Sequence, residues 1–209
     1  MPRIRVKVCG ITRPEDGIAA AQMGADAVGL VFYPPSGRYV TTEQARAIVA
    51  ALPPFVSAVG LFLDASAEDV RSALEEVPAM SLQFHGGESA EYCRLFGRPY
   101  IKSVPMGEAV DIDRYLDRYA EAAGFLVDSH RGGEAGGTGE TFDWTRLPKN
   151  PGRALVLAGG LTPENVSSAI GQVKPYAVDV STGVEREKGI KDPAKLEAFM
   201  RGVKLGECG

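Results

Sequence analysis

The feature that most constrains the fold is a regular alternation of short apolar runs with helix-like segments along the whole chain. The apolar runs are rich in Val, Ile and Leu, which is typical of buried parallel strands. Eight runs are predicted to be strands, at residues 3–8, 26–32, 56–63, 80–84, 100–104, 124–127, 154–157 and 176–180. Eight strand-helix units are the number that closes a (β/α)8 barrel, so we predict a single α/β domain of this TIM-barrel kind over residues 1–209.

Helix-like segments separate most of these runs. They lie at residues 14–23, 42–52, 66–77, 89–96, 111–123, 163–170 and 192–203, and several end at a glycine or before a proline. The chain has 209 residues, fewer than the usual ~250 of such barrels, so its loops must be short. A six-stranded doubly wound sheet is the structural alternative, but it would leave strand-like runs unused.

Charge and cysteine content exclude several classes of protein. A formal net charge of -4 and a pI near 5.3 give no basic surface for nucleic acid or an anionic membrane, and we expect neither partner. Three cysteines are too few and odd in number for a disulfide framework, and none forms a CxxC zinc pair. Cys93 is predicted to be buried in a helix and Cys208 to lie in a frayed tail. Because the N-terminal region is charged and has no long apolar stretch, we expect a cytoplasmic protein.

Several predicted strands have two faces of different character. In the first, Lys7 and Cys9 alternate with valines, and in the last, Asp179 and Ser181 do the same. One face meets the helices, so the polar set faces the barrel interior. Buried polar groups are costly unless paired, which indicates either a functional site or a structural ion pair between Lys7 and Asp179.

Reactive side chains follow the predicted strands, where barrel enzymes place their acids and bases. Cys9 follows the first strand, and Asp128 ends the sixth, where a loop-capping role is the alternative. Arg38 follows the second; its planar guanidinium matches a carboxylate, although an arginine in a loop is usually on the surface. His85 follows the fourth and either lines the pocket or hydrogen-bonds a loop carbonyl.

Two small-residue loops follow the last two strands. The first contains Gly159 and Gly160, and the second contains Ser181, Thr182 and Gly183. Backbone N–H groups in such loops bind an anion without a basic side chain, and the loops after strands seven and eight often form a phosphate site. A third glycine-rich stretch, 132–139, lacks a dinucleotide fingerprint and is either a mobile lid or a solvated loop.

Taken in order, these motifs resemble the phosphoribosylanthranilate isomerase family of tryptophan biosynthesis over essentially the whole chain. The motifs are KVCGI at 7–11, GLVF at 29–32, the loop bearing Arg38, QFHG at 83–86, VDS at 127–129, GTG at 137–139 with FDW at 142–144, LAGGL at 157–161 and DVSTGVE at 179–185. The resemblance implies a (β/α)8 barrel that performs an Amadori rearrangement of a phosphorylated small molecule without a cofactor or a metal. Both a monomer and a homodimer suit such a barrel.

The resemblance also implies roles for individual residues. Asp128 is the general acid and Cys9 the general base. The candidate substrate-binding residues are Arg38 for the anthranilate carboxylate, Gly160, Ser181, Thr182 and Gly183 for the phosphate, and His85, Gly159 and Asp179 in addition. A thiol has a pKa near ~8.5, so we expect Lys7 to lower that of Cys9. We expect burial to raise the pKa of Asp128 so that it can donate a proton.

Two departures from the family pattern and two alternatives are relevant. Gly37 stands where the family commonly has proline, which loosens the loop that aims Arg38, and Thr182 replaces a serine but keeps its hydroxyl. The related histidine-pathway isomerase performs the same rearrangement, but it has an aspartate where this chain has Cys9. A phosphoribosyl-binding barrel without catalysis would lack the acid or the base, whereas both Cys9 and Asp128 are present.

Overall fold

The computed structural model describes residues 3–107, 109–130, 141–148 and 152–208. Eight parallel strands form a closed barrel in chain order, with the last strand paired to the first, which confirms the predicted (β/α)8 fold. The strands are β1 Arg5–Cys9, β2 Ala27–Val31, β3 Ser57–Phe62, β4 Ser81–Phe84, β5 Tyr100–Pro105, β6 Gly124–Asp128, β7 Leu155–Leu157 and β8 Ala177–Val180. A short antiparallel pair, β9 Glu185–Glu187 and β10 Ile190–Lys191, follows β8.

Helices cover the outside of the barrel. They are α1 Pro14–Gln22, α2 Thr42–Ala51, α3 Ala67–Glu76, α4 Ala90–Arg94, α5 Ile112–Arg118, α6 Val166–Val173 and α7 Pro193–Cys208. Between β6 and β7 the described residues contain a single 3-10 turn, Trp144–Arg146. None of the helices in the described part has the length and apolar character needed to cross a membrane.

Side-chain caps explain where several helices begin. Thr41 and Gln44 form a reciprocal capping box at the start of α2. Ser66, Ser89 and Asp111 each accept a hydrogen bond from a backbone N–H in the first turn of α3, α4 and α5. These local signals are why the predicted helix starts agree with the structure to within a residue or two at these positions.

The C-terminal helix is longer than the sequence predicts. We expect it to end near residue 203 with Cys208 in a frayed tail, but α7 continues through Cys208. The reason is tertiary: Gly202 and Gly206 pack directly on α6, and the Glu207 carboxylate accepts a hydrogen bond from the N–H of Ile4 at 2.6 Å. The last helix therefore holds the start of the first strand.

The two faces of each strand are separated as predicted. Val6 and Val8 belong to the large apolar core that includes residues of the surrounding helices. Leu126, Val156 and their neighbours form a smaller, separate apolar cluster on the other face of the strands. Lys7 lies beside Asp179 in the register of β1 and β8, and Cys9 lies beside Gly29 in the register of β1 and β2. Polar side chains are thus collected on the interior face, at the carboxyl ends of the strands.

The packing of α6 against α7 yields a matched pair of predictions. Gly171→Ala on α6 has no atom within 4 Å of its new Cβ, so the better helix propensity of alanine should stabilise the fold by about 0.5–1 kcal/mol. Gly202→Ala on α7 makes the same propensity change, but its Cβ would lie 2.6 Å from Cγ1 of Val166 and should destabilise the fold. Urea unfolding of both variants measures the difference; equal effects would contradict this account of the interface.

Candidate active site

Two cavities open at the carboxyl ends of the strands. The larger, of about 450 Å³, is lined by the loops that follow β7 and β8. The smaller, of about 70 Å³, is lined by Cys9, Arg38 and His85, among others. Asp128 and Asp179 line both cavities, so a ligand that extends across them would meet both carboxyl groups.

Glycines create the space around Cys9. The thiol ends β1 and is only 6% exposed. A Cβ at Gly29, its neighbour in the sheet, would lie 2.6 Å from Sγ, so a glycine is needed there. Gly10 has a φ of 74°, in the left-handed region, and a Cβ at this position would overlap the side chain of Arg38. These two glycines let the thiol and the guanidinium approach the same cavity.

A buried ion pair lies beside the thiol. Lys7 Nζ donates to Oδ1 of Asp179 at 2.9 Å, and both side chains are almost fully buried. Burial raises the pKa of Cys9; Lys7 lowers it, in the direction that we expect from the sequence, but Asp179 opposes Lys7 and the net pKa is raised. The structure therefore differs from the expectation of a lowered pKa, because a dry site with a neutralised lysine favours the thiol over the thiolate.

The carboxylate of Asp128 lies against two stacked imidazoles. Its Oδ2 is 3.7 Å from Nε2 of His85 and 3.7 Å from Nδ1 of His130. The two rings stack with their centroids 4.1 Å apart. The hydroxyl of Ser129 donates to Oδ1 at 3.3 Å. Both oxygens of Asp128 are thus surrounded by potential donors.

These neighbours reverse the expected pKa shift of Asp128. Burial raises the pKa, as we expect, but the close approach of His130 and the attraction of both imidazoles lower it below the ordinary value. Burial and the nearby His130 lower the pKa of His85 to about 3. In the free protein, Asp128 is therefore a carboxylate and His85 a neutral imidazole at neutral pH.

The sequence leaves two interpretations of His85, which either lines the pocket or hydrogen-bonds a loop carbonyl, and its position in the structure decides between them. Its Nδ1 lies 2.7 Å from Oγ of Ser103 and 3.3 Å from Nε2 of Gln83, both buried on the interior face. It therefore lines the pocket, held by side chains, and does not bind a loop carbonyl among the described residues. Its other nitrogen is left facing Asp128.

A protein carboxylate orients Arg38. The Nε and Nη2 atoms of Arg38 each donate to one oxygen of Glu185, both at 2.8 Å, and Nη2 also donates to the hydroxyl of Thr182 at 2.9 Å. Such a two-point contact fixes the plane of the guanidinium. The Nη1 atom makes no hydrogen bond to any residue that the structure describes, so one edge of the group is left for a ligand.

The same carboxylate also binds a second cation. Lys191 Nζ donates to Glu185 at 2.9 Å and to the carbonyl of Ser181 at 3.2 Å. Burial raises the pKa of Glu185, but Arg38 and Lys191 outweigh it and the net pKa is lowered. Two cations therefore share one carboxylate next to the cavities, and this group of three carries one surplus positive charge that can attract an anionic ligand.

The loop after β7 is locked by Asn165. Gly159 and Gly160 have φ values of 81° and 62°, which favour glycine. The side-chain oxygen of Asn165 accepts from the N–H of Thr162, and its amide donates to the carbonyl of Gly160, each at 2.8 Å. A Cβ at Gly159 would also lie 3.0 Å from Oδ1 of Asp128, so this loop packs directly against the carboxylate.

The loop after β8 packs directly against the first. A 3-10 turn, Thr182–Val184, brings Gly183 onto the carbonyl of Leu161, where a Cβ would overlap it. Lys195 lines the same cavity and donates to the carbonyl of Glu185 at 2.7 Å. The larger cavity thus combines small residues with one lysine, and the sequence-based interpretation did not include that lysine.

All the candidate residues predicted from the sequence line one or both cavities. They are Cys9, Arg38, His85, Asp128, Gly159, Gly160, Asp179, Ser181, Thr182 and Gly183. The predicted glycine-rich lid at 132–139 lies outside the described residues. Sequence reasoning missed the contributions of His130, Glu185, Lys191 and Lys195. Of these, His130 had one available signal, since it stands two positions after Asp128 in the same loop.

Comparison with known proteins agrees with this geometry. Residues 6–202 match the family model described as N-(5'-phosphoribosyl)anthranilate (PRA) isomerase. The enzyme of that name from Nitrosococcus oceani is 56% identical over 201 residues, covering 96% of this chain and 98% of the relative. A Pseudomonas fluorescens relative of the same name is 54% identical, with 98% and 97% coverage.

Solved structures give the same result. The phosphoribosylanthranilate isomerase from Thermotoga maritima superposes with a TM-score of 0.87 at 44% identity, covering 96% of this chain and 98% of that one. Another isomerase of this kind was solved in complex with reduced 1-(o-carboxyphenylamino)-1-deoxyribulose 5-phosphate; its TM-score is 0.84 at 42% identity, with the same coverage. On the fold, the site and this similarity, the chain belongs to the N-(5'-phosphoribosyl)anthranilate isomerase family.

Proposed function

We propose that Cys9 is the general base and Asp128 the general acid with which this isomerase of tryptophan biosynthesis rearranges N-(5'-phosphoribosyl)anthranilate. The observation that carries the proposal is that both side chains line one small cavity beside Arg38, and that Asp128 also lines the larger cavity. A substrate with an aromatic carboxylate at one end and a phosphate at the other matches two adjoining cavities of this kind.

Two anionic groups position the substrate. The phosphate binds in the larger cavity, where Gly160, Ser181, Thr182 and Gly183 offer backbone and hydroxyl donors. The anthranilate carboxylate binds the free edge of Arg38, which Glu185 holds in place. The ribose then spans the two cavities and lies between Cys9 and Asp128.

The acid step opens the sugar ring. Asp128 donates a proton to the ring oxygen, the bond between that oxygen and C1 breaks, and the anthranilate nitrogen forms a double bond to C1 with its lone pair. The product of this step is an open-chain Schiff base with a positive charge on nitrogen. Removal of a positioned acid typically slows such a step by about 10²–10⁴-fold.

The base step moves the double bond. The thiolate of Cys9 takes the proton from C2, and the electrons of the C–H bond form a C1–C2 double bond while the nitrogen becomes neutral. The resulting enolamine gains a proton at C1 and loses one from the C2 hydroxyl, which gives 1-(2-carboxyphenylamino)-1-deoxyribulose 5-phosphate. No redox partner is needed, because C1 is reduced as C2 is oxidised.

The protonation states of the free protein are the reverse of those that the reaction needs. The proton resides on Cys9, whose pKa is raised by burial, while Asp128 is ionised. Bound substrate favours a protonated Asp128 through its anionic phosphate, and once the ring has opened, the cationic Schiff base stabilises the thiolate that takes the C2 proton. A transfer of one proton from Cys9 to Asp128 therefore prepares the site without exchange of charge with solvent.

The proposal also specifies where and in what form the protein acts. A catalytic thiol must stay reduced, and Cys9 and Cys93 are free buried cysteines, so we place the reaction in the reducing cytoplasm. The ligand is a phosphorylated small molecule rather than a nucleic acid or a membrane. Monomeric and homodimeric forms are both compatible with the site, and monomers of the dimeric Thermotoga maritima enzyme have been solved.

Substitution of the acid and the base tests the proposal. Purified protein should convert N-(5'-phosphoribosyl)anthranilate without added metal or nucleotide, followed by the loss of anthranilate fluorescence. Cys9→Ala and Asp128→Asn should each lower turnover by about 10²–10⁴-fold, because each removes a proton-transfer group. Cys208→Ala, which removes the exposed thiol of α7, is the matched control and should keep full activity. Near wild-type turnover in Cys9→Ala would refute the assignment of the base.

The pH dependence of kcat/KM tests the reversed protonation states. Below the pKa of Asp128, itself lowered from 3.8, both groups are protonated and the base is lost. Above the pKa of Cys9, raised from 9.0, both are ionised and the acid is lost. Ionisation of the two protein groups should therefore leave activity level throughout the interval between 3.8 and 9.0 wherever the protein is folded, once the ionisation of the substrate phosphate near pH ~6 has been corrected for. A narrow maximum near neutral pH would instead support a lowered thiol pKa and a raised carboxyl pKa.

The contact between Arg38 and Glu185 gives a test of substrate positioning. Glu185→Gln keeps the size of the side chain but removes a charge-assisted two-point contact, so KM should rise by about 10–100-fold while kcat falls less. Glu187→Gln, at an exposed position on the same strand, is the matched control and should leave KM unchanged. Thermal unfolding of both variants separates a positioning effect from a loss of fold, and an unchanged KM in Glu185→Gln would contradict the role given to this carboxylate.

A further inference from the structure

His85, Asp128 and His130 form a buried cluster of two imidazoles and one carboxyl group. The proposed isomerase reaction uses the carboxyl group of Asp128 but neither histidine. We propose that these three side chains form a binding site for Zn²⁺ or a similar divalent transition-metal ion, and that occupation of this site inhibits the enzyme. The binding itself is independent of the reaction mechanism. Its inhibitory effect rests on the proposed role of Asp128 as the acid.

The donor atoms converge on one point. Nε2 of His85 and Nδ1 of His130 each lie 3.7 Å from the same oxygen of Asp128, and the three donor atoms lie within 4.8 Å of one another. Tetrahedral Zn²⁺ with ligands at about 2.0–2.1 Å requires donors that are about 3.3 Å apart. Each pair formed by Asp128 and a histidine therefore needs to close by about 0.4 Å, and the two imidazole nitrogens, which lie within 4.8 Å of each other, by at most about 1.5 Å.

Both imidazole nitrogens are buried without a hydrogen-bond partner among the residues that the structure describes. His85 is 4% exposed and His130 2%, so water does not readily satisfy them. A buried polar atom without a hydrogen-bond partner is costly unless a water molecule or an ion satisfies it. A metal ion bound by Asp128 and both nitrogens would satisfy them at once. Because an imidazole nitrogen binds a metal in the plane of its ring, the two rings, which are stacked at an angle of 27°, must rotate apart when the ion binds.

The hydroxyl of Ser103 already orients one of the ligands. The other ring nitrogen of His85 lies 2.7 Å from the hydroxyl of Ser103, which fixes the ring and leaves Nε2 toward Asp128. Ligating histidines usually have such a partner on their second nitrogen. This arrangement distinguishes the cluster from a chance meeting of three polar side chains.

The donor set selects the class of ion. Two imidazoles and one carboxylate suit Zn²⁺, Co²⁺, Ni²⁺ or Cu²⁺, whereas Mg²⁺ and Ca²⁺ prefer oxygen ligands. Three protein ligands also leave the fourth position of a tetrahedral ion open. Asp128 and His85 line the smaller cavity, so that position faces the place where the sugar binds. An ion there would occupy the oxygen of Asp128 and block proton donation.

Cobalt binding provides a test that does not depend on activity. In a Cys208→Ser background, which removes the exposed thiol, Co²⁺ should bind at one ion per chain and develop the visible absorption of a tetrahedral cobalt site. Zn²⁺ should displace it, and Mg²⁺ should not. His130→Gln should weaken Co²⁺ binding by more than the roughly 10–100-fold that is lost when a residue hydrogen-bonded to a metal ligand is removed. His85→Gln should do the same, as a second variant in case the first does not fold.

Inhibition is measured in the same proteins. Zn²⁺ should inhibit the Cys208→Ser enzyme at the concentrations at which it displaces Co²⁺, chelator should restore the rate, and His130→Gln should lose this sensitivity relative to its own zinc-free rate. Equal Co²⁺ affinity in the histidine variants, or a thiolate-to-cobalt charge-transfer band that places the ion on Cys9, would overturn the site. Cobalt binding with unchanged turnover would uphold the site and overturn its inhibitory effect, together with the role of Asp128 as acid.

Discussion

The buried ion pair between Lys7 and Asp179 is the interaction on which the rest of the site depends. It joins the first and the last strand at the level where the barrel closes, and the strand register places the two residues side by side. A buried pair is costly to break, because removal of one partner leaves an uncompensated charge. The same pair determines the electrostatics of Cys9, since Lys7 attracts the thiolate and Asp179 cancels part of that attraction. Closure of the barrel and the chemistry of the thiol are therefore controlled by one contact.

The pairing of opposite charges stabilises the buried cations at the carboxyl end of the barrel before substrate binds. Glu185 lies between Arg38 and Lys191 and holds both cations at 2.8–2.9 Å. One carboxylate between two cations prevents their mutual repulsion but leaves a surplus positive charge. The surplus charge is local to these three residues and is complementary to an anionic ligand, whereas Asp128 contributes a negative charge elsewhere in the same cavities.

The barrel and most of the site could be predicted from the sequence because the signals are local. Apolar runs of strand length, serine and threonine caps, and paired glycines each act through nearby residues, and their order indicates the family. The pKa directions could not be predicted, since they depend on His130 and Asp179, which reach Asp128 and Cys9 only in the folded barrel. The role of Glu185 could not be predicted for the same reason, because its partner Arg38 lies 147 positions away in the chain. The extension of α7 through Cys208 depends on its contacts with α6 and Ile4. Helix propensity reflects only local sequence and therefore does not predict it.

The hydrogen bond from Ile4 to Glu207 has a consequence for synthesis. The first strand carries Cys9 and pairs with β2, but its other two contacts, with β8 and with the last turn of α7, come from segments that are synthesised much later. Lys7 and Asp179 lie 172 positions apart, so at roughly 5–20 residues per second about nine to thirty-four seconds separate their synthesis. Throughout that time the first strand has no partner on one of its edges, and the Cys9 thiol lacks the ion pair beside it. The surroundings that leave this thiol only 6% exposed in the folded barrel are thus completed long after the residue itself is made.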